Sequence, residues 1–192
     1  MAAHPITRFK RWFAEARRAD LPQPEAMALA TADRRGTPSL RYVLMKEADE
    51  SGVVFFTNTA SRKGKELRAN PRAALTFYWS ALGKQVRFEG RVEPVSEEEA
   101  DAYWKTRPRA SQLAALSSRQ SEPLESRAAL MRRYKRLAER YRGSEVPRPP
   151  GWSGYRLVPE TVEFWTHRDH RLHHRELFTR AGKSWKRTLL QP

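Results

Sequence analysis

The chain has 192 residues and a mass of 22.3 kDa, the size of one ordinary domain, and 39% hydrophobic residues suffice for a core that takes about 70% of the unfolded surface out of water. The absence of cysteine excludes disulfides, thiolate metal sites and a cysteine nucleophile, and no apolar run approaches the roughly 20 residues of a membrane helix. Lys and Arg number 37 against 22 Asp and Glu, a net charge of +15, so an anionic partner is to be considered: nucleic acid, an acidic membrane surface or a phosphorylated small molecule. The basic residues are scattered rather than gathered in a tail, which weakens the nucleic-acid reading. Met1 to Phe13 lacks the apolar stretch of a signal peptide, so a cytoplasmic protein is expected.

Pro5 to Ala19 places Ile6, Phe9, Phe13 and Ala16 at helical spacing, with Pro5 suited to the first turn. The prolines between Leu21 and Glu25 mark a linker. Strands are then predicted over Met27–Thr31, Leu40–Lys46, Val53–Asn58, Ala73–Trp79 and Gln85–Val95, with turn chemistry at Asp33–Pro38 and Asp49–Gly52. Ser61 can cap a short helix that passes Lys65 and Leu67 and stops before Pro71. Ser96 and Glu99 form a capping box ahead of Ala100, Tyr103 and Trp104. A longer helix, about Pro123 to Arg142, aligns Leu130, Tyr134, Leu137 and Tyr141, and Gly143 ends it. After the proline-rich loop Val146–Gly151, strands are predicted over Tyr155–Leu157, Val162–Thr166, Glu176–Thr179 and Trp185–Leu190. Nine strand candidates with short loops and a helical insertion define an α+β fold on an antiparallel barrel. One domain is expected over 1–192, with an N-terminal helix in 1–20, the insertion in 96–142 and C-terminal strands in 153–192.

Four groups of residues could carry chemistry. Ser61-Arg62-Lys63-Gly64-Lys65 opens a helix, where free N–H groups and the dipole favour an anion. Arg41 and Lys46, five apart, would face opposite sides of a regular strand; taken alone, two outward charges are the simpler reading. Tyr103, Arg107 and Ser111 recur at intervals of four across a segment that Pro108 interrupts, and arginine with hydroxyls suits a phosphate. Arg168 to Arg175 concentrates three histidines, but nothing repeats at metal-ligand spacing elsewhere, so polar contact with an aromatic ligand beside Trp165 is preferred and no metal is expected. Arg171 and His173, two apart, would share a face if their segment were extended. No glycine-rich dinucleotide or P-loop motif occurs.

The blocks Arg41-Tyr42-Val43-Leu44-Met45-Lys46, Phe56-Thr57-Asn58, Ser61-Arg62-Lys63, Arg107-Pro108-Arg109-Ala110-Ser111-Gln112, Gln120-Ser121, Val162-Glu163-Phe164-Trp165 and Arg171-Leu172-His173 occur in an order that resembles the pyridoxine/pyridoxamine 5'-phosphate oxidase family, over nearly the whole chain. The resemblance implies an FMN-binding split β-barrel acting as a homodimer, each flavin lying between subunits. It places FMN contacts on Arg41, Tyr42, Val43, Leu44, Met45 and Lys46, on Phe56, Thr57, Arg62 and Lys63, and on Gln85, Gln120, Ser121, Trp165 and Arg175. Substrate contacts fall on Lys46, Tyr103, Arg107, Ser111, Arg171, Leu172 and His173, with Arg171 and His173 orienting the reacting ring. Phe56 and His174 depart from the tyrosine and aspartate usual in the family. The implied reaction is oxidation of a B6 vitamer 5'-phosphate to pyridoxal 5'-phosphate with FMN and dioxygen, without nucleic acid or membrane as partner. The alternatives are another FMN oxidase on the same barrel, such as one acting on a phenazine precursor, and a flavin- or nucleic-acid-binding module without turnover.

Overall fold

A computed structural model describes residues 4–192, so the first three residues of the 1–20 segment lie outside it. In chain order the elements are α1 (Pro5–Arg18), β1 (Ala26–Ala32), β2 (Pro38–Leu44), β3 (Glu47–Asp49), β4 (Gly52–Asn58), α2 (Arg62–Ala69), β5 (Arg72–Trp79), β6 (Lys84–Pro94), α3 (Glu97–Thr106), α4 (Arg109–Ser117), α5 (Arg127–Arg140), β7 (Trp152–Thr166), β8 (His174–Ala181) and β9 (Ser184–Leu190). Every strand pairing is antiparallel, in the order β2-β1-β5-β6-β7-β4-β3, with β8 on β7 and β9 on β8.

Alternation along the strands sends Met27, Leu29, Leu75, Phe77, Val86, Phe88, Val162 and Phe164 to one face, where they form the main core. Helix α1 closes it. Pro5 occupies the start of α1, where its missing N–H costs nothing, and His4 Nδ1 accepts from the Ile6 N–H at 3.3 Å. Phe9 is fully buried and meets Phe77 and Phe88 at 5.0 and 5.1 Å between ring centroids. Trp12, not Phe13, completes the buried stripe: it stands edge-on to Phe164 at 5.2 Å, while Phe13 is only partly buried. Each of these large side chains contributes about 1.5–3 kcal/mol by leaving water.

Strand β7 is one strand of 15 residues where the sequence suggests two, Tyr155–Leu157 and Val162–Thr166. Pro159 does not end it because the strand bulges there: the register against β6 shifts between Glu89 and Gly90, opposite Thr161 and Pro159. Gly90 permits the close approach, since a Cβ on it would lie 2.1 Å from the Val158 carbonyl oxygen. The first half of β7 pairs with β4 and the second half with β8, which splits the barrel.

Three other boundaries differ. Strand β2 ends at Leu44, so the pleat argument does not reach Lys46, whose N–H instead donates to Val54 O at 2.8 Å. β3 is a short strand that the turn residues around Asp49 concealed. Helix α5 begins at Arg127 rather than Pro123, because Ser126 Oγ accepts from the Ala129 N–H at 3.0 Å and caps it there. Helices α3 to α5 lie over the β4 half of the outer sheet face, around Trp104, Leu113, Val146 and Trp152. On the rest of the outer face Leu40, Tyr42, Leu44 and Tyr78 are exposed.

Candidate active site

The turn between β4 and α2 builds the first cluster. Ser61 Oγ accepts from the Gly64 N–H and caps α2, and Gly64 lets the first turn close on Thr59, whose carbonyl oxygen a Cβ would approach to 2.2 Å. Lys63 is thereby turned inward and buried, 6% exposed. Its Nζ donates to Thr57 Oγ1 at 3.1 Å, Gln120 Oε1 at 3.2 Å and Ser61 Oγ at 3.4 Å, all uncharged, and no carboxylate lies in ion-pair range among the described residues. Burial, then the charge of Arg41, pull its pKa down to about 8, and Glu66 only partly restores it. A buried ammonium with only neutral partners suits an anion.

One turn further along α2, Glu66 is also buried. It accepts from Thr31 Oγ1 at 2.5 Å, Ser39 Oγ at 2.6 Å, Arg62 Nε at 2.8 Å and Arg41 Nη2 at 3.3 Å. Burial pushes its carboxyl up, but the hydrogen bonds of Ser39, Thr31 and Arg62 and the charge of Arg41 outweigh this and hold it at about 2. Arg41 also donates to Leu29 O at 3.2 Å. Arg62 spends only Nε and keeps its terminal amino groups outward, the side chain 60% exposed.

A second cluster adjoins the first through Phe56, the neighbour of Thr57. The rings of Phe56 and Tyr103 stack at 4.1 Å, and Trp152 lies parallel at 5.4 Å from Phe56. The Arg107 guanidinium covers Trp152 at 4.6 Å and Trp104 at 5.1 Å, and Lys46 Nζ is 5.8 Å from the Tyr103 ring. Arg107 sits at the joint of α3 and α4 with extended φ/ψ, so it leaves the helical line that Tyr103 follows. Its Nη1 is buried without a hydrogen-bond partner, and desolvation lowers its pKa. Ser111 is half-buried in the first turn of α4.

The third cluster lies elsewhere. Gln85, Trp165 and Arg175 face one another across β6, β7 and β8, so their side chains share the outer sheet face. Trp165 packs on His173 at 4.5 Å, and Arg175 Nε donates to Glu163 at 2.7 Å. Arg171 and His173 do not lie on an extended segment: a short turn spans Asp169–Arg171, with His170 and Arg171 at φ +55° and +62°. The shared-face argument from extended geometry therefore fails, and the His173 ring is held by packing on Trp165 and by the Arg168 N–H, which donates to its Nδ1 at 3.2 Å. Leu172 is exposed. Gly154, opposite Phe56, and Trp165 are eleven residues apart on β7, about 36 Å of strand. The first two clusters thus lie beside the N-terminal end of β7 and the third at its C-terminal end.

The remaining candidates divide by direction. Met45 is buried and Val43 packs on the core, so from these two only the backbone can face a ligand, whereas Tyr42 and Leu44 project outward. Gln120 and Ser121, the latter at φ +73°, border a cavity of about 830 Å³ between their loop and Arg132, Arg133 and Arg136 of α5. Sequence reasoning did not single out Trp152, Glu66 or Glu163. A carboxylate four residues after Arg62 was a visible signal for Glu66, but Trp152 falls between the predicted loop and the predicted strand Tyr155–Leu157, where nothing marks it.

The shape of the sheet is that of FMN-binding split-barrel proteins: an FMN-binding protein of Nostoc punctiforme related to pyridoxamine 5'-phosphate oxidase superposes with a TM-score of 0.80 at 20% identity, covering 100% of both chains. The model of the family described as pyridoxamine 5'-phosphate oxidase matches residues 13–166, and that of the pyridoxine 5'-phosphate oxidase C-terminal dimerisation region matches 152–192. The chain belongs to the pyridoxamine 5'-phosphate oxidase family. Proteins named pyridoxine/pyridoxamine 5'-phosphate oxidase from Rubrobacter xylanophilus and a Bradyrhizobium species are 57% and 51% identical to it, over 98% and 100% of this chain and 87% and 89% of theirs. PhzG of Burkholderia lata, solved with tetrahydrophenazine-1-carboxylic acid, is 39% identical with a TM-score of 0.95, over 100% of this chain and 94% of that one. No helix of the described residues is long and apolar enough to cross a membrane.

Proposed function

We propose that this chain oxidises pyridoxamine 5'-phosphate or pyridoxine 5'-phosphate to pyridoxal 5'-phosphate. The observation that carries the reading is the pair of separate cation clusters, Lys63 with Arg62 and Arg107 with Lys46, each with a buried cationic group lacking an anionic partner. Two phosphates, one of a flavin mononucleotide and one of the substrate, meet that requirement. A single-phosphate system would leave one cluster unexplained, which is why this reading is preferred to oxidation of a phenazine precursor.

The residues fit FMN through Lys63, Arg62, Thr57 and Gln120 at its phosphate. When bound, FMN takes two electrons from the substrate and passes them to dioxygen, giving hydrogen peroxide; the amine substrate also consumes water and releases ammonia. The chain's own part is placement. Lys46, Tyr103, Arg107 and Ser111 hold the substrate phosphate, and Arg171 and His173 orient the ring that reacts. The stack of Phe56, Tyr103 and Trp152 gives Arg107 a rigid, water-poor seat.

The distance along β7 gives the reading its second part. Gln85, Trp165, Arg175, Arg171 and His173 serve the site of a partner subunit in a homodimer, consistent with a C-terminal dimerisation region over 152–192 and with the exposed apolar side chains of β2 and β5. The test is direct: purified protein should show a flavin spectrum and release peroxide when pyridoxamine 5'-phosphate is added under air. Bound flavin without peroxide release would refute the activity.

A further inference from the structure

Four groups converge on the Glu66 carboxylate, and two of them, Arg41 and Arg62, approach it from different elements: Arg41 from the inner face of β2 and Arg62 from the first turn of α2. Oε1 takes Arg62 Nε, and Oε2 takes Thr31, Ser39 and Arg41. Arg41 is further tied to Ser39, Thr31 and the Leu29 carbonyl, so both its terminal amino groups are engaged and Nε is left for a ligand. Arg62 is fixed at one nitrogen only, which leaves its terminal amino groups free in an exposed side chain.

We propose that Glu66 is a positioning residue for phosphate recognition: it sets Arg41 and Arg62 at the angle from which, with Lys63, they receive the terminal phosphate of the flavin. This rests on the FMN reading above. The charge of Glu66 is itself unfavourable toward a phosphate dianion. Its benefit must therefore come through preorganisation, since two long side chains that would otherwise sample many rotamers are already ordered before the anion arrives.

Those two effects have opposite signs and a measurement separates them. Full-length protein freed of flavin is titrated with FMN and with riboflavin, which carries the same ring system without the phosphate. In Glu66→Gln the amide oxygen can serve Arg62 or the β1–β2 donors but not both. FMN affinity is expected to fall at least tenfold, while riboflavin affinity stays within twofold. An equal fall for both flavins would make Glu66 a merely structural residue, and unchanged or tighter FMN binding would reduce it to charge balance; either result overturns the proposal. Ser39→Ala, which retains the carboxylate but withdraws one of its donors and one of Arg41's partners, should show the same selectivity at about threefold, and it decides the matter if Glu66→Gln does not fold. A wild-type chain that binds riboflavin as tightly as FMN would instead overturn the phosphate site on which the inference stands.

Discussion

Lys63 Nζ and Gln120 Oε1 lie 3.2 Å apart although 57 residues separate them, so one hydrogen bond ties the start of α2 to the loop that precedes α5. That bond sets a charged group against a neutral one in a buried place. Lys63→Ala should lower FMN affinity tenfold to a hundredfold, ~1.5–3 kcal/mol for one charge-assisted contact, as read by calorimetry.

The same lysine gives a pH dependence whose sign follows from its lowered pKa of about 8, against 10.5 for an ordinary lysine. Below pH 8 it is protonated in both the folded and unfolded flavin-free chain, and the cost of burying the charge is fully present. Between pH 8 and 10.5 the unfolded chain holds more protons, so the lysine's contribution to stability rises with pH. Thermal melts of the flavin-free protein should show this rise, and Lys63→Met should remove it. FMN affinity should fall over the same range, because the phosphate needs the charged form.

Glu66 gives a slope of the same sign at acid pH for a different reason, because here the charged form is the one the fold favours. Its carboxyl is held at about 2 rather than 4.5, so its stabilisation is complete above pH 4.5 and is lost as the pH falls toward 2. Melts of wild type should converge on those of Glu66→Gln as the solution is acidified. A gap that stays constant down to pH 2 would contradict the ionised network.

Both clusters were partly legible in the sequence. Arg62 and Lys63 stand at a capped helix start, and four-residue spacing drew attention to Tyr103 and Arg107. What could not be read was the long-range pairing: nothing local says that Gln120 reaches Lys63, or that Trp152, 49 residues after Tyr103, lies parallel to its ring at 6.0 Å. The strands were legible because alternation survives in β1, β5 and β6. β7 was misread because Pro159 ordinarily ends a strand, and only its partner Gly90 reveals that the chain bulges there instead.

Light scattering of the flavin-loaded protein should give about twice 22.3 kDa. Tyr42, 79% exposed in this protomer, is the residue through which to challenge the assembly. Tyr42→Glu should yield monomers with weakened flavin binding. Monomers that retain FMN and turn over would refute a site shared between subunits.

Arg171→Ala and His173→Ala should leave the flavin spectrum intact while lowering kcat/KM for pyridoxamine 5'-phosphate about 30-fold to 1000-fold, ~2–4 kcal/mol, through loss of ring orientation. Steady-state peroxide release measures this. A value near wild type would strike both residues from the site, and loss of flavin would assign them to the cofactor.

The bulge at Pro159 also acts as a phase shifter. Tyr155 and Leu157 on one side of it and Val162 and Phe164 on the other all point into the core, although odd and even positions of a regular strand point opposite ways. The extra residue around Glu160 absorbs the mismatch. Deleting a regular residue of β7 ahead of Phe164 while the bulge persists would exchange the fates of Phe164 and Trp165, sending the tryptophan inward and exposing the phenylalanine. Length changes that preserve this protein therefore belong in hairpins such as that at Gly182, where φ is +61° and a Cβ would meet nothing within 4 Å. Inside β7, a single residue counts as half a period.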